Sequence, residues 1–176
     1  GVIAIPGVPV GKLIYGDQKI IYHTKNETKM CDIGEASVRC RAIEVQAPCG
    51  KLINEKLSPD GLYGVTYSNE TYALIKCKVN TDSIAFQSVI HHNVSKLAIA
   101  PFSFSPTSEL VVIRDRYVGS RWISYLETIK NSIAIEFKTV EEIGHSVSFI
   151  DEGRKIAVLT YNPIQRSSSL VIFSAH

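Results

Sequence analysis

The chain has 176 residues and a formal net charge of +2, with 45% hydrophobic and 20% charged residues. That is the composition of an ordinary globule of one domain, long enough to bury a substantial core, with too little charge to argue for nucleic acid or an anionic membrane. No apolar run approaches the roughly 18–20 residues that span a bilayer, and the first residues do not read as a basic-then-apolar leader. The chain begins with Gly rather than Met, so its start reads as a processing site left by a removed signal peptide or as the edge of an excised fragment.

Residues 1–10, GVIAIPGVPV, are apolar and proline-punctuated, which would make a sticky free strand if nothing paired with them. From 11 to 48 the strand-forming runs are KLIYG, KIIYHTK, TKMCDIG and VRCRAIEVQ, and Gly34–Ser37 is a short hairpin turn between the last two. With Glu35-Ala36 at the tip, Cys31 falls opposite Cys40, close enough for a disulfide at a non-hydrogen-bonded pair. From 49 to 93 follow KLINEKLS, LYGVTYS, TYALIKCKV and SIAFQSVIH; from 94 to 143, KLAIAPFSF, ELVVIRDR, SRWISYLE and SIAIEFKTV; from 144 to 176, GHSVSFID, RKIAVLTYN and SSLVIFSAH. No helix-period segment and no linker interrupts this order, so the expectation is all-β, one domain over 1–176.

One hairpin recurs. Leu57–Asn69, LSPDGLYGVTYSN, sets a turn of Pro59, Asp60 and Gly61 before a run of β-formers, each turn residue suited to chain reversal. Phe104–Arg116 reads FSPTSELVVIRDR, Phe149–Leu159 reads FIDEGRKIAVL, and Ile14–His23, IYGDQKIIYH, is a weaker copy with Asp17 in register with Asp60. The anchors Ile14, Leu57, Phe104 and Phe149 are spaced by 43, 47 and 45 residues, the period of propeller blades of four strands. An apolar-Ser-Pro-Asp-Gly turn leading into a β-run, inside a repeat of this length, resembles β-propeller proteins of the WD-repeat, YVTN or TolB-like kind. The WD dipeptide and the YVTN string are absent, and Gly144-His145 occurs once at a repeat entry. The resemblance implies a fold and no particular activity.

The resulting expectation is a four-bladed β-propeller, or four blades of a larger one, with blades of about four antiparallel strands. The last repeat lacks an outermost strand, which Val2–Ile5 would supply, closing the ring between the two ends of the chain. The alternative is a slice of a larger propeller whose other blades cover both ends; strand exchange between molecules would instead make oligomers or filaments.

The cysteines, spaced C-x8-C-x8-C-x27-C, match no zinc or iron–sulfur pattern, so no metal or cofactor is expected. Cys31 and Cys40 are the expected disulfide. Cys49 and Cys77 fall on a first and a third strand with another between them, too far for an easy bond, which leaves them free unless the local strand order differs. Asn26, Asn69 and Asn93 head glycosylation triplets, or simply suit turns. Asn26 and Asn69 follow second strands and Asn93 lies between repeats, loop classes that project from one face, so glycans would cover that face.

The opposite face would carry Asp17, Glu35, Asp60, Asp82, Glu109, Asp151 and Glu152, an acidic rim suited to a basic partner or to calcium, or else plain solvated turns. His91, His92 and His145 are placed in loops with nothing to orient them. Arg116, Tyr117, Arg121 and Trp122, with Arg114, form the one aromatic–basic cluster and are the candidate partner contact, against cross-strand packing as the plainer reading. No nucleophile elbow, P-loop or dinucleotide motif occurs, and Glu141-Glu142 and Asp151-Glu152 are strand neighbours that point to opposite faces.

The function expected on these grounds is non-enzymatic. The chain reads as a disulfide-bonded, glycosylated structural or protein-binding module, extracellular or at a surface, that meets a protein partner or itself and binds no nucleic acid. The alternative is a cytoplasmic scaffold, or a propeller piece of a larger protein such as the gating domain of a peptidase or other hydrolase.

Overall fold

The structure is a computed structural model, and it describes residues 7–16, 18–68, 70–128, 134–136 and 143–175. Val2–Ile5, the expected closing strand, lies outside them. The chain divides into two compact units, Gly1–Thr66 with Ile75–Val89, and Tyr67–Leu74 with Ile90–His176. The described residues are almost all strand and turn, so the fold is all-β.

Strands β1 (Pro9–Gly16), β2 (Lys19–Thr24), β3 (Thr28–Ile33) and β4 (Val38–Val45), all in the first unit, form one meander, and β5 (Ile53–Ser58), β6 (Gly61–Ser68), β7 (Thr71–Val79) and β8 (Ser83–His91) a second, of which the tip of β6–β7 and the end of β8 belong to the second unit. They join through a short parallel pairing of the outer strands, Glu44 opposite Ser83 and Val45 opposite Ile84, giving one sheet ordered β1-β2-β3-β4-β8-β7-β6-β5. Its two edge strands, β1 and β5, come together at Gly16 and Leu57, so the sheet is nearly closed. Period-two alternation places Ile14, Ile21 and Met30 side by side on the interior face, in register and each at most 4% exposed. Leu62, Val65, Ile75, Cys77 and Ile84 are buried on the second meander.

The Pro59-Asp60 turn between β5 and β6 is clamped from within. The Asp60 carboxylate accepts from the Tyr63 hydroxyl at 2.8 Å and from the Lys76 ammonium at 2.7 Å. Gly61 follows because a Cβ there would stand 2.8 Å from the Cys77 carbonyl oxygen of β7.

Two of the expected placements are corrected here. Cys49 is not on a first strand: it sits in a 3-10 turn, Cys49–Lys51, ahead of β5. From there it reaches β7, and the bond Cys49–Cys77 forms with a Cα separation of 6.2 Å, so no described cysteine is free. The run KLAIAPFSF is strand only at β9 (Phe102–Phe104). Pro101 has no N–H to give a ladder, and residues before it bond irregularly to the strand Ile143–Ile150, through Ile99 N to His145 O (2.8 Å) and Val147 N to Ala100 O (3.0 Å).

In the second unit β9 pairs with β10 (Leu110–Val118), β11 (Arg121–Thr128) and β12 (Ala134–Glu136) in a four-stranded sheet, and β13 (Ile143–Ile150), β14 (Lys155–Asn162) and β15 (Ser167–Ser174) make a three-stranded one. Val111, Ile113 and Leu126 of the former pack on Val147, Ile156 and Val158 of the latter. Ser105 opens the β9–β10 turn, its hydroxyl accepting from Thr107 N and Glu109 N at 3.3 and 3.0 Å. Residues 93–95 are stitched beside β10, with Val94 bridged to Arg114.

Candidate binding surface

Strand alternation gives β1–β4 a second face opposite the Ile14–Ile21–Met30 layer, and that face is also apolar. Tyr15 pairs with Ile20, Ile20 with Cys31, Cys31 with Cys40, and Ile33 with Val38. A register irregularity between Val10 and Ile14 turns the start of β1 toward the same side. Ile20, Cys31, Cys40, Ile33 and Val38 of this face, together with Val10, Leu13 and Tyr22, line a cavity of about 430 Å³. The lining remains open to solvent: Leu13 is 57% exposed and Val10 47%.

Two devices hold this face rigid. The Cys31–Cys40 disulfide, with 4.0 Å between Cα atoms, staples β3 to β4 in the wall of the cavity. At the rim His23 is fixed by Thr28 Oγ1 at 2.7 Å from its Nδ1, with Glu55 Oε1 at 3.8 Å from Nε2. The lining pairs no nucleophile with a base, so what the geometry offers is burial of an apolar partner group.

The other candidate residues are dispersed. Asn26 is exposed at the tip of a turn in which Thr24 Oγ1 accepts from Asn26 N (3.4 Å) and Glu27 N (3.2 Å). Asn93 is exposed after β8 with φ of 55°, its carbonyl accepting from Asp115 N at 2.9 Å. Asn69 lies outside the described residues, as do Asp17 and Glu141-Glu142.

The β10–β11 hairpin sets Tyr117 opposite Trp122, Arg116 opposite Ile123 and Val118 opposite Arg121, which brings the four residues of the aromatic–basic cluster to one hairpin end. Arg114 and Arg116 both lie over the Tyr125 ring, at 5.6 and 5.3 Å.

The expected histidine and acidic groupings are largely committed elsewhere. His91 is the last residue of β8 and His145 lies within β13, so neither is in a loop. Asp60 is held as described, and Asp151 pairs with Arg154 at 2.6 Å and Lys155 at 3.3 Å. Burial raises the Asp60 carboxyl, but Lys76 and Tyr63 outweigh it and hold the group below its ordinary value. No cluster of three or more His, Cys, Asp or Glu able to hold a metal occurs among the described residues. No helix among them is long and apolar enough to cross a membrane.

Sequence reasoning missed the outer apolar face of β1–β4. Its signal is the continuous hydrophobicity of KLIYG and KIIY, in which both alternating positions are apolar.

No family model and no curated protein sequence matches the chain. Among solved structures it is similar to TolB from Acinetobacter baumannii, with a TM-score of 0.53 at 14% identity, over 93% of this chain and 40% of that one. TolB is a β-propeller protein, and the likeness shows a β-propeller-like fold. The chain spans 40% of TolB's length.

Proposed function

We propose that the chain is a non-enzymatic binding and assembly protein that works outside the cell or at a surface, with the two meanders of the eight-stranded sheet and the two smaller sheets serving as four blades of a propeller and the N-terminal strand completing the last of them. The observation that carries this reading is the outer face of β1–β4, apolar, stapled by Cys31–Cys40 and open at Leu13 and Val10. A rigid apolar concavity favours a partner that buries an apolar side chain or strand there. Two disulfides support an oxidising setting, in which Asn26, Asn69 and Asn93 would carry glycans. The β15 edge, whose Leu170 and Ile172 are 67% and 54% exposed, suits strand addition by the N-terminal segment of the same or a second copy.

Light scattering across a concentration series tests the assembly. Association that Leu13→Lys and Val38→Lys abolish supports it; a monomer at every concentration, unchanged by either substitution, contradicts it. A second reading rests on the 40% span of TolB: the chain is part of a larger propeller, whose further sheets cover this face. A gene that continues into more blades or a hydrolase domain would favour that reading.

A further inference from the structure

A second cavity, of about 350 Å³, lies wholly within the second unit, at the tip of the β6–β7 hairpin. Tyr67 and Tyr72 meet there with ring centroids 5.2 Å apart and planes inclined at 58°, an aromatic corner in which Tyr67 stays 63% exposed. Glu70, at φ 64°, and Asp115 also line it, with Asn93 and Lys96. The walls are stitched by backbone bonds: Val94 N to Tyr72 O at 3.0 Å, Ser95 N to Ile113 O at 2.9 Å, and Asp115 N to Asn93 O at 2.9 Å.

The charges are what single this cavity out. Asp115 is only 8% exposed and accepts one hydrogen bond, from Ser124 Oγ at 2.8 Å. Neither Asp115 nor Glu70 has an ion-pair partner among the described residues. With Lys96 the one basic residue of the lining, the Glu70 and Asp115 carboxylates leave an excess of one negative charge around the cavity, and a cation entering from solvent would find charge-assisted acceptors there. An aromatic face adds attraction for the same group, about 0.5–2 kcal/mol for a well-placed cation.

We propose that this cavity binds the cationic end of a basic peptide side chain, an alkylammonium or guanidinium, between the Tyr67–Tyr72 corner and the Glu70 and Asp115 carboxylates. Its volume lies at the small end of ligand sites, which suits one side chain rather than a large molecule. The site is separate from the apolar face of β1–β4, so either proposal can fail while the other stands.

The test is titration of the full chain, followed by NMR of its tyrosine rings, with N-acetyl-trimethyllysine methylamide and N-acetyl-arginine methylamide. The neutral N-acetyl-acetyllysine methylamide is the control. Saturable shifts at Tyr67 and Tyr72 with a cationic probe, at least about tenfold tighter than the neutral control, support the site. Tyr67→Ala and Asp115→Asn should each weaken binding by about tenfold, whereas Tyr67→Phe, which keeps the ring face, should retain it. Circular dichroism of Asp115→Asn separates loss of binding from loss of folding, and exposed Tyr67 supplies the second variant. Equal affinity for the neutral control, no ring shifts with either cation, or ring shifts with N-acetylglucosamine in their place would overturn the proposal.

Discussion

Gly16 and Leu57 touch across the two edges of the eight-stranded sheet: a Cβ on Gly16 would stand 2.5 Å from the Leu57 carbonyl oxygen. The obstacle is backbone, which has no rotamer by which to yield. Gly16→Ala should therefore push β1 away from β5 and destabilise the chain by about 1–3 kcal/mol, the range of overpacking. Urea denaturation checks this, with Gly11→Ala as a comparison for loss of a positive-φ glycine where nothing lies within 4 Å. An unchanged midpoint for Gly16→Ala would show that the two edges do not meet.

The disulfides should differ in worth. Cys49 and Cys77 are 28 residues apart and Cys31 and Cys40 are 9 apart. By loop-closure entropy the longer link stabilises by about 3.6 kcal/mol and the shorter by about 2.6. Paired Ser substitutions, one bond at a time, should lower the thermal midpoint more for Cys49–Cys77. The reverse order would mean that strain or residual structure outweighs chain entropy.

The Asp60 clamp makes two linked predictions. Tyr63 is 7% exposed and donates to Asp60, so Tyr63→Phe should cost about 1 kcal/mol. Since the folded Asp60 carboxyl lies below its ordinary 3.8, the opposing effect of burial being outweighed by Lys76 and Tyr63, its contribution is present above the unfolded value and is lost as pH falls through the folded one. Asp60→Asn should flatten the acid limb of the stability curve in that window. A limb of unchanged slope would place the acid sensitivity elsewhere.

His91 gives a pH dependence at a different point. Its side chain is 15% exposed, Nδ1 lies 3.9 Å from Glu127 Oε1, and Nε2 is buried without a hydrogen-bond partner among the described residues. Burial lowers its pKa below 6.5; Glu127 opposes the shift, while Arg114 and His92 add to it. The unfolded chain then holds the proton more tightly than the folded one, so stability is complete above 6.5 and falls as pH drops toward the folded value. Urea midpoints at about pH 7.5 and about 5.5 should differ in the native chain and differ less in His91→Gln. An equal drop in both would remove His91 as the cause.

How much of this was legible depended on how local the determining contact is. The Ser-Pro-Asp-Gly turn, the β-forming run that follows it and the tight turn at Gly34–Ser37 each act within one hairpin, and such features made the all-β character and the opposition of Cys31 to Cys40 readable. Cys49–Cys77 was not readable, because it depends on a turn ahead of β5 reaching a strand two places along the sheet. The outer face of β1–β4 was hidden because an apolar strand position carries no mark of whether anything covers it. The Tyr67–Tyr72 cavity needs residues 93–95 stitched between β7 and β10, a placement no local pattern encodes.

The central claim, an exported and disulfide-bonded binding protein, is tested most directly by the intact mass of the natively produced chain, alkylated under denaturing conditions without reductant. The account predicts a mass that gains no alkyl group and carries hexose-containing glycan, removed in part by Asn26→Gln. A bare polypeptide mass that gains four alkyl groups would contradict it and assign the chain to a reducing compartment.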